Sequence, residues 1–244
     1  MTLNRPYKRI ARPFNMPNGS YVGGTIDESY LADHNFAPDR TTAIRGYHAI
    51  ENDLRRVFEF VEPHQQNLDT FSTRLYEIFL RASTEFESNC KSILAANGYS
   101  RAGDWNMGDY KKIEAATRLS EYQIRLTIWA DTPRVLQPLA PWSTGGSLPW
   151  YQDYNTVKHN RSDKFKLANL KNTVDAVAAL FVILFAQFNI LAFSAHELVS
   201  SHGDWNGWLA YHNSIFWIKL PTGWTTSECY GFASLTPTFG AFSF

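Results

Sequence analysis

The chain has 244 residues, room for one large domain or two small ones, and its 44% apolar against 19% charged residues exclude both intrinsic disorder and a multi-span membrane protein. Lysine plus arginine and aspartate plus glutamate each total 23, so no global charge selects nucleic acid, an anionic membrane or an acidic substrate. Two cysteines without paired spacing, Cys90 and Cys229, support neither a disulfide scaffold nor a cysteine-built zinc site and point to a reducing compartment.

Residues 1–38 carry Pro6, Pro13, Pro17 and Pro38, a Gly23-Gly24 pair and no sustained period, and read as an irregular arm. Their basic start (Arg5, Lys8, Arg9, Arg12) is interrupted by proline and followed by no apolar run, so no secretory signal is expected and the cytoplasm is the expected location. From Thr41, Ile44, Tyr47, Leu54, Val57, Phe58 and Val61 recur at helical spacing, with Asp39 as cap and Pro63 as stop. A longer stripe from Leu68 and Phe71 through Leu75, Ile78, Phe79, Ala82, Phe86, Cys90, Ile93 and Leu94 predicts a second helix ending at Asn97-Gly98.

A shorter helix is expected over 107–119. Tyr122, Ile124, Leu126 and Ile128 then alternate with polar residues, a strand pattern within 121–129. Four prolines and Gly145-Gly146 make 130–149 a loop, and Pro149 suits the first turn of a helix over 148–161. Ser162 or Asp163 is the expected cap of the next helix.

That helix includes Val174–Phe193, where 17 of 20 residues are apolar, close to the roughly 20 that span a bilayer. The uninterrupted apolar run covers only Ala176–Ala186, and a helix apolar all round also fits the centre of a bundle, so a buried core helix is expected and no membrane. After His196 four tryptophans (Trp205, Trp208, Trp217, Trp224) and a β-prone run at 214–220 predict a cover with short strands that pair with 121–129. The expected fold is therefore mainly α. A helical bundle over 39–196 carries a small β element (121–129 and 214–220), and an aromatic C-terminal cover over 197–244 belongs to the same domain.

One segment carries chemistry: Trp150-Tyr151-Gln152-Asp153-Tyr154-Asn155-Thr156-Val157-Lys158-His159-Asn160-Arg161. At 100° per residue Trp150, Tyr154, Val157 and Arg161 share a stripe that packs, while Gln152, Asn155 and His159 lie opposite with Lys158 on the flank. Asn155 and His159 are i and i+4, so the amide can orient the imidazole, and a positioned histidine serves as general acid or base near neutral pH. From 158 to 171, Lys158, Arg161, Lys164, Lys166 and Lys171 face Asp163 alone, a local excess suited to phosphate.

The Asn-x-x-Lys-His-x-Arg run, at the start of the last long apolar helix, resembles the motif region of the HEPN superfamily. These are helical bundles, often homodimeric, found in prokaryotic toxins, antiviral defence and RNA processing, and many are metal-independent ribonucleases. The resemblance implies an RNA-directed protein, a ribonuclease or an RNA-binding component of a toxin–antitoxin, defence or stress system. It implies no cofactor and no metal, and as partners RNA, a second copy of the chain, and an antitoxin or other protein. Carried over, the family's histidine falls on His159 and its polar residue on Asn155. The usual arginine does not carry over, because Gln152, Asp153 and Tyr154 stand where it belongs. The catalytic set is then His159, Asn155, Lys158 and Arg161, with Lys158, Arg161, Lys164 and Lys166 on RNA phosphates. The alternative is a non-catalytic interaction or scaffold domain in which 150–161 only closes the bundle.

Other constellations are weaker. His196-Glu197 with His202 has its second histidine at i+6, the wrong side of a helix for zinc. Asp104, Asp109 and Lys111 imitate an acid-acid-lysine nuclease pattern without its strand geometry, and His48 and His64 read as ordinary histidines near helix ends. No phosphate loop, nucleophile elbow or dinucleotide fingerprint is present.

Overall fold

The apolar run becomes the axis of the molecule. The computed structural model describes residues 1–15, 21–22, 28–130, 133–193, 202–232 and 237–244. Its helices are α1 (Arg40–Val57), α2 (Thr73–Ala96), α3 (Met107–Tyr110), α4 (Glu114–Thr117), α5 (Pro149–His159), α6 (Arg161–Lys164) and α7 (Leu170–Phe188). The strands are β1 (Phe14–Asn15), β2 (Tyr21–Val22), β3 (Gln123–Leu126), β4 (Arg134–Leu136), β5 (His202–Gly203), β6 (Trp208–Ala210) and β7 (Phe216–Lys219). The protein is mainly α.

On α7 every side chain except Lys171 and Asp175 is buried, because α1, α2 and α5 pack around it. Among the described residues it is the one helix long and apolar enough to cross a membrane, and 89% of that stretch is enclosed by the protein itself. Each of its large apolar side chains contributes roughly 1.5–3 kcal/mol on burial. Gln187 is tolerated at the centre because all its groups are used. Its amide donates to Asn89 Oδ1 (2.9 Å) and the Ile183 carbonyl (3.1 Å), and its oxygen accepts from Arg9 Nη1 (3.0 Å).

Helix α2 is set by Ser72, whose hydroxyl accepts from the Leu75 amide at 3.1 Å, and it ends at Asn97 before Gly98 at φ +77°. Leu68 and Phe71 therefore precede the helix rather than belong to it. Asp39 occupies the N-cap position of α1 but makes no cap bond, because its carboxylate pairs with the buried Arg9. The helix expected over 107–119 is broken into α3, a 3₁₀ turn and α4, and it stops at Arg118, which sits at φ +51°. Arg118 there holds both Glu228 oxygens (2.9 and 3.0 Å) and Glu121 Oε1 (3.1 Å).

The small β element is a five-stranded antiparallel sheet in the order β4-β3-β7-β6-β5. The pairing of β3 with β7 matches Ile124 to Ile218 and Leu126 to Phe216, all fully buried, so the period-two alternation turns one face to the core. Strand β4 was hidden in the proline-rich loop: its Arg134, Val135 and Leu136 pair with β3, and a strand of three residues is too short to carry a period. The N-terminal arm and the C-terminal cover close on each other. Leu3 N donates to the Cys229 carbonyl, Gly231 N to the Leu3 carbonyl, and Tyr230, fully buried, donates its hydroxyl to the Ile10 carbonyl, each bond at 2.8 Å.

Candidate nucleic-acid interface

Helix α5 starts at Pro149, whose fixed φ suits the first helical position, and it lays Trp150, Tyr151, Tyr154 and Val157 into the core. Trp150 Nε1 donates to the Pro138 carbonyl at 3.0 Å, tying the helix to the loop before it. The expected polar face is present, with Gln152, Lys158 and His159 exposed and Asn155 half-buried. The helix is shorter than expected. Asn160, at φ −140° and ψ 66°, breaks it after His159, so Arg161 opens α6 instead of continuing the stripe.

Around that break Asn160 donates to Asp163 Oδ2 (3.1 Å) and Ser162 Oγ to Asn160 Oδ1 (3.2 Å). Ser162 and Asp163 therefore organise α6, and the cap of α7 is Asn169, which accepts from the Asn172 amide at 2.9 Å. The expected bond between Asn155 and His159 does not form, and among the described residues neither side chain has a hydrogen-bond partner. His159 is open to solvent rather than sealed by packing.

Two groups from α2, unseen in the motif, shape its floor. Tyr151 donates its hydroxyl to Glu87 Oε1 at 2.5 Å, and burial, reinforced by that carboxylate, holds the Tyr151 phenol far above its ordinary range. The Tyr154 hydroxyl lies 3.4 Å from Thr84 Oγ1, while the Lys158 ammonium lies 5.1 Å from the Tyr154 ring centre. Hydrogen bonding to Tyr154 raises Lys158, which keeps it cationic.

Arg161 is placed by aromatic rings. Its guanidinium carbon lies 4.6 Å from the centre of Tyr76 and 5.4 Å from that of Phe165. Phe165 touches Tyr76 (5.6 Å between ring centres) and Phe71 (5.9 Å), and Phe71 is 50% exposed. A backbone bridge between Phe71 and Asn169 fixes this corner. Lys164 and Lys166 are exposed beside it, whereas Lys171 turns to Asp175 (3.4 Å) and leaves the patch. Among the described residues none of Lys158, Arg161, Lys164 and Lys166 has a carboxylate partner. The surface is thus cationic with aromatic rings interleaved, the combination that holds phosphates and stacks unpaired bases. Helical periodicity within 150–161 could not expose it, since Tyr76 lies on α2 and Phe71 just before it, and no sequence signal ties either to this segment.

The competing constellations dissolve. His196-Glu197 lies outside the described residues, and His202 belongs to β5 rather than to a helix. Asp109 accepts from the Asn106 amide (2.8 Å) and the Tyr99 hydroxyl (2.7 Å) and pairs with Arg101 (3.1 Å). Lys111 donates to the Gly145 carbonyl, away from that acid. Among the described residues no three histidine, cysteine, aspartate or glutamate side chains converge as a metal site would require. Comparison with family models, curated proteins and solved structures gives no match to this chain.

Proposed function

We propose that the surface around the end of α5 binds single-stranded RNA, as an HEPN-like, RNA-directed protein of the prokaryotic cytoplasm acting in a toxin, defence or stress setting. The observation that carries this reading is Arg161 lying over Tyr76 and Phe165 beside exposed Lys158, His159, Lys164 and Lys166. Cations bound to rings stay in place while their outward edges meet phosphate, and the half-exposed Phe71 offers a face for a base.

Metal-independent cleavage is the catalytic extension of this reading. A ribose 2'-hydroxyl attacks the adjacent phosphorus and the bond to the 5'-oxygen breaks; His159 moves the proton and Lys158 or Arg161 stabilises the charge on phosphorus. Because Asn155 does not hold the imidazole, binding stands on firmer geometry than cleavage, and a second copy of the chain is the reading's source for an orienting group. The alternative, a protein-interaction surface, draws on the exposure of Phe71.

The test is binding of a fluorescent oligouridylate across a salt series. Replacing Lys158 and Arg161 together by alanine is expected to weaken binding at least tenfold and to lower the slope of log K against log salt by about 1.4, two phosphate contacts at roughly 0.7 each. Unchanged affinity and slope would remove the RNA reading. His159→Ala is expected to leave binding intact and, where cleavage is seen, to slow it about 100-fold or more.

A further inference from the structure

We propose that a cavity beside the C-terminal half of α1, sharing no residue with the α5 surface, binds the phosphate group of a nucleotide-sized phosphate ester. The cavity has a volume of about 560 Å³, within the roughly 300–1,000 Å³ of small-molecule sites. One wall is a single face of α1, where His48, Asn52 and Arg55 recur at helical spacing. The other is the turn Tyr211–Asn213 together with Phe193.

Glu51 is the one acid in the lining, and it is 3% exposed with its oxygens already engaged. Oε2 accepts the Tyr211 hydroxyl, and Oε1 accepts from Ser214 Oγ (3.2 Å) and the Ile215 amide (3.0 Å). A carboxylate so covered is a poor ligand for a cation, and its role is to fix the wall. It also faces His48, whose Nδ1 is 3.9 Å from Oε2.

The remaining polar side chains are a guanidinium, two imidazoles and two amides, a set weighted toward donors. Arg55 is anchored by donating one Nη2 hydrogen to the Asn213 carbonyl, and Asn213 presents that carbonyl because it sits at φ +64°, a conformation few residues other than glycine adopt. A guanidinium has five N–H groups, so one anchoring bond leaves others for an anion. Such donors arranged from two sides suit a tetrahedral anion better than a planar carboxylate. Phe193 and Tyr211, stacked on each other at 4.6 Å with 7° between their planes and each only 7% exposed, form a rigid apolar wall that bounds the cavity.

The shared chemistry has two sources, a free mononucleotide or one nucleotide of an RNA strand. The experiment is calorimetric titration of the whole protein with AMP, with adenosine as the dephosphorylated control and hexauridylate as competitor. AMP is expected to bind and adenosine at least tenfold more weakly. Arg55→Gln and, separately, His212→Gln are each expected to weaken AMP about tenfold with thermal unfolding checked in parallel, while Arg161→Ala leaves AMP binding unchanged. The exposed His212 keeps the test valid if Arg55→Gln disturbs the turn. Displacement of AMP by hexauridylate assigns the site to a strand, and its absence to a free nucleotide; either outcome carries the site. No AMP binding at millimolar concentration, or binding indifferent to both substitutions, would overturn it. Loss of RNA binding in the α5 variants with AMP binding retained would break the proposed function and leave this site standing.

Discussion

The N-terminal arm and the α5–α7 segment both concentrate cations in a chain that is neutral overall, and the fold treats them in opposite ways. Arg9 and Arg12 are 4% and 8% exposed. Arg9 serves Gln187 and Asp39, and Arg12 serves the Ala116 carbonyl (2.8 and 3.0 Å) and the Glu228 carbonyl (3.1 Å) while lying over Tyr7, Trp224 and Phe242. Burial pulls Arg9 down to about 10 and lowers Arg12 as well, the mark of cations enclosed by protein. Lys158, Arg161, Lys164 and Lys166 are exposed and, among the described residues, form no ion pair with a carboxylate. A basic stretch therefore points to an external anion only when the carbonyls and carboxylates of its own fold leave it unpaired.

The contrast can be broken most forcefully at Arg12. Arg12→Ala leaves two carbonyls without their donor and removes the cation between three rings, so urea unfolding is expected to show a loss of about 3 kcal/mol. Arg161→Ala is the counterpart. Two solvent-facing ring contacts contribute roughly 0.5–1 kcal/mol each at most, so stability is expected to fall by no more than about 1–2 kcal/mol while RNA affinity drops. A stability loss at Arg161 as large as that at Arg12 would mean that the surface cation is structural.

The smallest effect sharpens the comparison through pH. Burial pushes the Glu228 carboxyl up, but the bonds from Thr225 and Arg118 outweigh it and hold it at about 2, against an ordinary 4.5. A depressed carboxyl stabilises the folded state above its unfolded value, and that contribution is lost as pH falls from about 4.5 toward 2. Glu228→Gln is expected to lower stability modestly at neutral pH, where the contribution is fully present, and to flatten the stability-versus-pH curve between about 4.5 and 2. An unaltered acid slope would show that Arg118 does not depend on this partner.

Much of the fold was legible because it is local. The stripe from Leu75 to Leu94 is buried in α2 as its period demands, and the alternation at Ile124 and Leu126 met its partner at Phe216 and Ile218. The helix expected over 107–119 is interrupted by a 3₁₀ turn at Lys111–Ile113 and ends at Arg118, an ordinary helical residue by type that sits left-handed while holding a carboxylate 110 residues away. At the α5 surface the polar face could be read, but the Asn155–His159 bond required a side-chain conformation that spacing alone does not impose. Glu87, Tyr76 and Phe71 are contributed by the α2 region, and no pattern within 150–161 names them. His48 was passed over for the same reason: Glu51 stands three residues away, but Tyr211, Ser214 and Ile215, which hold that carboxylate, are separated from it by at least 160 residues.

By itself the sequence determined that the cores of α1, α2, α5 and α7 are helical, which face of α1, α2 and α5 is apolar, where α2 ends and that Leu170–Phe188 is the most apolar helix, since side-chain periodicity follows from backbone geometry within a few turns. Tertiary structure alone decided that β7 lies between β3 and β6, that Arg9 and Arg12 are buried while Arg161 is not, and that a carboxylate, two imidazoles and a guanidinium line one cavity. Each of those outcomes depends on which distant groups desolvate and satisfy one another, a condition that only the packed chain can meet.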